Sequence, residues 1–405
     1  MKSLLMIPMI LMLVACAGCN RAKPITKLEV GREKLLGAGR TIEAIGDLTE
    51  AETKEAKTPQ QKVEPRALLL IAYTNALSTG DAQIQGLVEP FENERQRRLV
   101  AMGEAEMRHI IRVLNEQHRI QKDAMQVLID KGSDVVPVLI ESLRRYPKIQ
   151  KELIEMLSQI GSKDPRGLNQ MIAALKLPNT NTSPSVKVTL VQLIGLINDK
   201  RAIPDLESVR DSGDMGLRME IDIALYKLGE TEHRANIIDG LKDSNVAVRR
   251  AASKALSEIN DSPVGEIITI LKDSDAQVRA YAAQALIKFP TKKAINPLID
   301  ILKKDSDERV KEVAKKALIV HAQKRLGKKL AARLINELES GQIAESNDRL
   351  RIVQILKTDE LKRQIKNAPL DDQLEYNLYK YFEEKEQNDM VKEELNRLLL
   401  ELESM

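Results

Sequence analysis

Between Asn181 and His321 the chain repeats itself, and the length of the repeat leaves few folds open. Five helix-sized segments align on Val186, Leu217, Val248, Val278 and Val310; the steps, as differences of those numbers, are 31, 31, 30 and 32 residues. Three positions before each anchor stands Ser183, Asp214, Asn245, Asp275 or Asp307, side chains that accept from the free N–H groups at a helix N-terminus. Four positions after the anchors come Leu190, Ile221, Ala252, Ala282 and Ala314. Seven after come Leu193, Ala224, Ala255, Ala285 and Ala317, and eight after come Ile194, Leu225, Leu256, Leu286 and Leu318. Apolar residues at i, i+4, i+7 and i+8 behind a cap describe one buried stripe of a helix. Five copies at a near-constant period predict a stacked array. The expected fold class is all-α, an α-solenoid of helical-hairpin repeats with helical N- and C-terminal caps.

Around this array the chain divides into five expected segments. Residues 1–15 form a signal peptide, 16–27 a tether and 28–121 an N-terminal helical region. Residues 122–322 form the repeat solenoid, and 323–405 a diverged repeat with a C-terminal cap. In the N-terminal region, Ala67 to Leu77 is an apolar helix ending at Ser78-Thr79-Gly80, and Glu92 to Gln121 reads as one long charged helix. Ile149, Leu153, Met156, Leu157 and Ile160 repeat the stripe, but Tyr146 stands where a cap residue belongs. The insertion from Leu177 to Thr182 reads as a solvent-exposed excursion. Past His321 the pattern decays: Ile335, Leu338, Leu350, Val353 and Leu356 suggest one diverged unit, and Leu370 to Leu402 a terminal helix or helix pair. His321 itself, where the other units carry Ile197, Leu228, Ile259 and Phe289, reads as a polar residue at a fraying end.

Composition removes several function classes. Aromatic residues make up 2% of the chain and tryptophan is absent, so the flat stacking platforms used for bases are not available in number. Net charge is +3, from 63 basic and 60 acidic residues; nothing in that balance signals a polyanion partner, and nucleic acid is not expected. The only cysteines are Cys16 and Cys19, which leaves the body without a disulfide framework or a thiolate metal site.

Lys2, an apolar run from Leu4 to Val14, and the small residues that follow make a secretory signal too short to span a bilayer. The ending Leu13-Val14-Ala15-Cys16 resembles the lipobox of bacterial lipoproteins. That resemblance implies cleavage before Cys16, lipidation of its thiol and acylation of its amine. Two or more acyl chains give stable anchoring, whereas one is marginal. The implied location is the bacterial cell envelope, and the outer membrane facing the periplasm if the host has two membranes.

The stretch Asp243-Ser244-Asn245-Val246-Ala247-Val248-Arg249-Arg250-Ala251-Ala252 resembles a HEAT-like repeat, of the kind labelled PBS-lyase HEAT-like. Asp273-Ser274-Asp275-Ala276-Gln277-Val278-Arg279 and Asp305-Ser306-Asp307-Glu308-Arg309-Val310-Lys311 repeat the resemblance. Pro204 and Pro297 stand thirteen before their anchors, where a first helical turn tolerates proline. The resemblance implies architecture strongly and activity hardly at all.

One column carries charge. Lys187, Arg218, Arg249, Arg279 and Lys311 follow the anchors directly, and Asn181, Ser212, Asp243, Asp273 and Asp305 precede them by five. In HEAT-like arrays such basic residues commonly bond to a turn acid, so an inter-repeat ladder through Arg218, Asp243, Arg249, Asp273, Arg279, Asp305 and Lys311 is expected. The competing reading is a basic stripe extended by Arg250, Lys254, Lys288, Lys315 and Lys316 toward an acidic partner. No catalytic residues, metal ligands or cofactors are expected. His109, His118, His233 and His321 form no i, i+4 pair and have no neighbouring cysteine, and Gly37-Ala38-Gly39 lacks the third glycine of a phosphate loop. The expected function is a non-catalytic protein–protein scaffold, with an as yet unknown protein partner and a membrane contact through the N-terminal lipid. Two alternatives stand beside it: a HEAT-like lyase attaching bilin chromophores, which export from the cytosol argues against, and an envelope protein holding an anionic polymer on the basic stripe.

Overall fold

The computed structural model describes residues 26–38, 40–84, 86–179, 182–211, 214–258, 263–368 and 373–405. The signal segment, Cys16 and most of the tether lie outside the described residues, as do Asn181, Ser212, Ile259 and Leu370. Among the described residues every regular element is helical and no strand occurs; none of these helices is long and apolar enough to cross a membrane. The chain packs as two compact units, 1–202 and 203–405, a division that falls inside the expected 122–322 segment.

The first unit holds α1 (Lys27–Glu33), α2 (Thr41–Glu50), α3 (Val63–Ser78), α4 (Asp81–Ile84), α5 (Val88–Ala101), α6 (Glu104–Glu116) and α7 (Gln121–Lys131). It continues with α8 (Val136–Arg145), α9 (Gln150–Lys163), α10 (Pro165–Lys176) and α11 (Pro184–Ile197). Its centre is α3, buried continuously from Ala67 to Thr74 and packed by α2, α5, α6 and α7. A helix that is apolar all round belongs inside. It ends before Gly80, whose φ of +81° is open to glycine at no steric cost. The single helix expected over Glu92–Gln121 is instead two. Met102 turns extended, and Gly103 caps α6 by donating its N–H to Glu106 Oε2 at 3.2 Å. Without a side chain at Gly103, Glu106 can reach back to it, and the charge pattern runs through the break without marking it. Of the insertion, Leu177 to Asn179 are exposed, but Thr182 is buried.

The second unit runs through α12 (Ile203–Arg210), α13 (Met215–Leu228), α14 (Arg234–Gly240), α15 (Val246–Glu258), α16 (Val264–Ile270), α17 (Ala276–Lys288) and α18 (Lys292–Lys304). It ends with α19 (Glu308–His321), α20 (Gly327–Glu339), α21 (Ser346–Leu356), α22 (Asp359–Lys366), α23 (Leu374–Glu384) and α24 (Asp389–Glu403). The expected caps sit immediately before α11, α13, α15, α17 and α19. Four of them accept backbone N–H groups: Asp214 from Leu217 at 2.8 Å, Asn245 from Ala247 at 2.9 Å, Asp275 from Val278 at 3.1 Å and Asp307 from Arg309 at 2.9 Å. Every anchor and every i+4, i+7 and i+8 residue of the five copies is buried. Most buried apolar residues of this unit, from Met219 to Leu402, form one cluster, from which Ile221, Ala224, Leu225 and Leu228 of α13 stand apart.

Three expectations need correction. Pro297 lies in the interior of α18 rather than its first turn. Its ring removes the N–H that would have bonded the Lys293 carbonyl, and Lys293 is exposed, so water can take that carbonyl instead. The array does not fray at His321. A π-turn, Ala322–Leu326, carries α19 into α20, and His321 is completely buried, its Nδ1 on the Ala317 carbonyl at 2.7 Å and its Nε2 without a hydrogen-bond partner. The diverged unit also keeps the stripe in a register of its own: Asp348 occupies the anchor place, with Ile352, Ile355 and Leu356 buried at the i+4, i+7 and i+8 places. A charged anchor hid that register.

Truncating the stripe should cost what a well-packed core costs. Leu286→Ala and Leu256→Ala are each expected to lower unfolding free energy by about 2–5 kcal/mol in denaturant titrations. Near-zero changes at both would contradict the packing. Burial holds the His321 imidazole below its ordinary range, so the unfolded chain takes up a proton that the folded chain resists. Its share of stability is complete above about pH 6.5 and is lost as pH falls below that. His321→Leu, in keeping with Leu228 and Phe289 of the same column, should raise the denaturation midpoint and flatten its fall between about pH 7 and 5. His109, also lowered by burial, keeps part of the slope.

Candidate functional site

The polar residues of the second unit are placed by the same periodicity as its core. Arg249, Arg279 and Lys311 are each the fourth residue of their helices, so each projects back over the turn that precedes it. Arg249 Nη1 donates to the carbonyls of Asp243 and Ser244, at 2.9 and 3.1 Å. Its other edge grips Asp273 of the next repeat, Nε to Oδ2 at 2.8 Å and Nη2 to Oδ1 at 3.2 Å. Arg279 repeats the pattern, donating to the Asp273 and Ser274 carbonyls at 2.8 and 3.1 Å and to Asp305 at 2.6 and 2.7 Å. These carboxylate bonds hold both guanidiniums more firmly protonated than usual. Lys311 reaches the buried Asp348 at 2.8 and 2.9 Å.

The ladder differs from expectation at both ends. Arg218 makes no ion pair with Asp243 among the described residues, and its Nε is buried without a hydrogen-bond partner. Asp243 caps its own turn as Asp273 does, but among the described residues no arginine fork reaches its carboxylate. Beyond Lys311, where the sequence pattern fades, the full fork returns. Arg349, again fourth in its helix, takes the Ile343 and Ala344 carbonyls at 3.0 and 2.7 Å and Glu386 at 2.8 and 3.1 Å. The missed signal was the same basic residue on a fourth helical position, obscured by a longer step to its acid.

The basic stripe is mostly engaged internally. Arg250 bonds Asp275 through Nε at 2.9 Å and holds that carboxyl down at about 2. Lys288 donates to the Glu258 carbonyl at 2.8 Å. Lys315 lies 2.8 Å from Glu312 and bonds Gln354 at 3.1 Å. Lys254 and Lys316 are exposed and form no ion pair among the described residues.

Two other places gather polar atoms. In the first unit, α8, α10 and the start of α11 border a groove of about 740 Å³ lined by Ile140, Arg144, Arg145, Leu177 and Val186 among others. Gln170 at its edge leaves Oε1 buried without a hydrogen-bond partner. In the second unit, His233 ends the turn before α14 and is buried. Its Nδ1 lies 2.6 Å from Asp222 Oδ1, its Nε2 is 2.9 Å from Glu207 Oε1, and Glu232 Oε1 is 4.0 Å from that nitrogen. Asp222, buried on α13, is also bonded by Arg210 Nε at 2.7 Å and Asn236 at 3.2 Å. Spacing could not reveal this cluster, because its members come from α12, α13, α14 and the turn between α13 and α14.

The rungs make unequal claims on stability. Arg279→Ala leaves the buried Asp305 without a counter-charge and should cost about 3–5 kcal/mol. Arg250→Ala removes a half-exposed partner and should cost clearly less, because solvent screens that pair. Denaturant titration of the two variants side by side checks the difference; equal losses would contradict the ladder.

No curated protein matches the chain. Among solved structures, a crystal structure of an engineered protein aligns over 93% of this chain and 93% of its own, at 18% identity and a TM-score of 0.34. In sequence, the family model of HEAT repeats matches residues 234–319, the segment that runs from α14 into α19 and contains the Arg249–Asp273 and Arg279–Asp305 rungs. That segment is a run of HEAT repeats.

Proposed function

We propose that this chain is a non-catalytic interaction scaffold, held in the bacterial cell envelope by a lipid on Cys16. The observation that carries the scaffold half is the run of HEAT repeats at residues 234–319, an architecture that offers successive helices as one extended binding face. The lipid half rests on the sequence Leu13-Val14-Ala15-Cys16 after an apolar run. On this reading the outer membrane is the host surface where two membranes exist, and the partner is a protein.

The free cations decide how the partner is sensed. Arg250, Lys288 and Lys315 already contact groups of the chain, so reversing their charge would disturb the repeats as well as any partner. Lys254 and Lys316 carry no such obligation. An acidic partner held by them would bind in a salt-sensitive way.

Labelling with a fatty-acid analogue, followed by membrane fractionation, tests the anchor. Wild type should be labelled and membrane-bound, and Cys16→Ser unlabelled and released; an unlabelled, soluble wild type would contradict it. Crosslinking in the native envelope should capture a protein, with Lys254→Glu/Lys316→Glu reducing capture while helicity is unchanged. Undiminished capture by that variant would remove the basic residues from the binding face. Turnover of a substrate by the purified protein would overturn the scaffold itself.

A further inference from the structure

With a neutral imidazole, the cluster around His233 holds one more acceptor than it has protons to offer. Asp222 and Glu207 are carboxylates and only accept, while a neutral imidazole has a single N–H. The shorter contact, Nδ1 to Asp222 at 2.6 Å, takes that proton, and Asp222 is fixed for it by Arg210 and Asn236. The Nε2 lone pair then faces Glu207 Oε1 at 2.9 Å. Two acceptors at that distance repel unless a positive charge lies between them. Elsewhere in this unit such charges come from arginine or lysine, as at Asp273, Asp305 and Asp348. Here Arg210 is spent on Asp222 and reaches Glu207 only as a more distant charge, and a third ligand-type group, Glu232, lies 4.0 Å from Nε2.

We propose that His233 Nε2, Glu207 and Glu232 form a binding site for a zinc-like divalent cation. One ligand atom from each of the three lies within 4.8 Å of the others. Zinc bonds of about 2.0–2.2 Å at tetrahedral angles require donor atoms about 3.3 Å apart. The two distances from Nε2, 2.9 Å to Glu207 and 4.0 Å to Glu232, straddle that value. Both glutamates are partly or largely exposed, at 41% and 79% of the side chain, so small rotamer changes can close the triangle. His233 cannot move in this way, and it does not have to. A carboxylate on the far ring nitrogen is the arrangement that fixes tautomer and orientation in metal-bound histidines, and Asp222 supplies it.

The donor set selects the metal class. One imidazole with two carboxylates suits zinc, cobalt or nickel, whereas calcium seeks six to eight oxygens and magnesium an oxygen octahedron. Two carboxylate charges neutralise a dication, and Arg210 answers Asp222 separately, so the bound site carries no net charge. Three protein ligands leave the fourth tetrahedral position to water. Binding would add a metal bridge between the turn Thr231–His233 and α12, which the Glu207–His233 hydrogen bond already connects.

The test uses the full chain without a polyhistidine tag, purified in detergent and stripped by a chelator. Isothermal titration with zinc should give about one saturable site of micromolar affinity. Cobalt in its place should give the intense visible bands of a tetrahedral ion. Glu207→Gln and Glu232→Gln, both at exposed positions that leave the fold intact by circular dichroism, should each weaken binding at least about 10-fold. Asp222 need not be altered. The absence of a saturable site in wild type would overturn the proposal and leave Nε2 bridged to Glu207 by a proton. So would zinc affinity unchanged in both variants, which would place the ion at another histidine.

Discussion

The second unit depends on each helix burying its stripe against the equivalent stripe of the next. No repeat has an interior of its own. The stripe is graded in size: alanines at the i+4 and i+7 places of α15, α17 and α19 let these helices lie close together, and Leu256, Leu286 and Leu318 fill the space at i+8. A buried leucine contributes about 1.5–3 kcal/mol, but here only if its neighbour is present. The same small residues make the interface intolerant of added volume, because close-packed surfaces lose about 1–3 kcal/mol to an inserted methylene or two.

Apolar burial has no direction, so it cannot by itself fix how one helix pair is set against the next. The arginine forks supply the direction. Arg249 and Arg279 each bind two carbonyls of their own turn and both oxygens of the next repeat's acid, and the planar guanidinium accepts little variation in that geometry. Lys311 shows the converse. An ammonium is a point charge without a fork, and its acid has moved from the turn to the anchor place itself, where Asp348 is buried. Arg351 then joins the pair, bonding Asp348 at 2.6 Å and Glu312 at 2.9 Å. The change of residue type thus goes together with a changed anchor, register and step length in the following unit.

That chain of consequences marks where the sequence ceased to be legible. The caps, the anchors and the stripe from Val186 to Leu318 could be read directly, because each repeats and each has a local cause. The unit at Asp348 could not, since a buried charge in the anchor column makes sense only with Lys311 and Arg351 in view. The break at Gly103 was equally hidden, because a glycine in a charged segment signals a turn only when Glu106 is seen reaching back. The basic residues illustrate a different limit: the column was visible, but whether Arg250 faces solvent or Asp275 depends on the distance between helices. For His233 there was no pattern to read. A lone histidine, a lone aspartate on an apolar helix and two surface glutamates are unremarkable until three elements bring them together.

The ladder and the histidine cluster solve the same electrostatic problem with different means, and the difference bears on what the protein can sense. Along the ladder the half-buried Asp273 and Asp305 and the buried Asp348 and Glu386 each meet a basic side chain of the chain itself, so their charges are settled within the fold and nothing outside is needed. Such rungs give the array a fixed geometry but leave it deaf to its surroundings. Around His233 the balance is less complete: Arg210 bonds Asp222 and only acts on Glu207 from a distance, and Glu207 and Glu232 both lie near His233 Nε2. A cation from solution can complete that set where an arginine completes the others. The repeats would then carry rigidity written into the sequence on one side and a condition set by the environment on the other, with the turn before α14 as the place where the two meet.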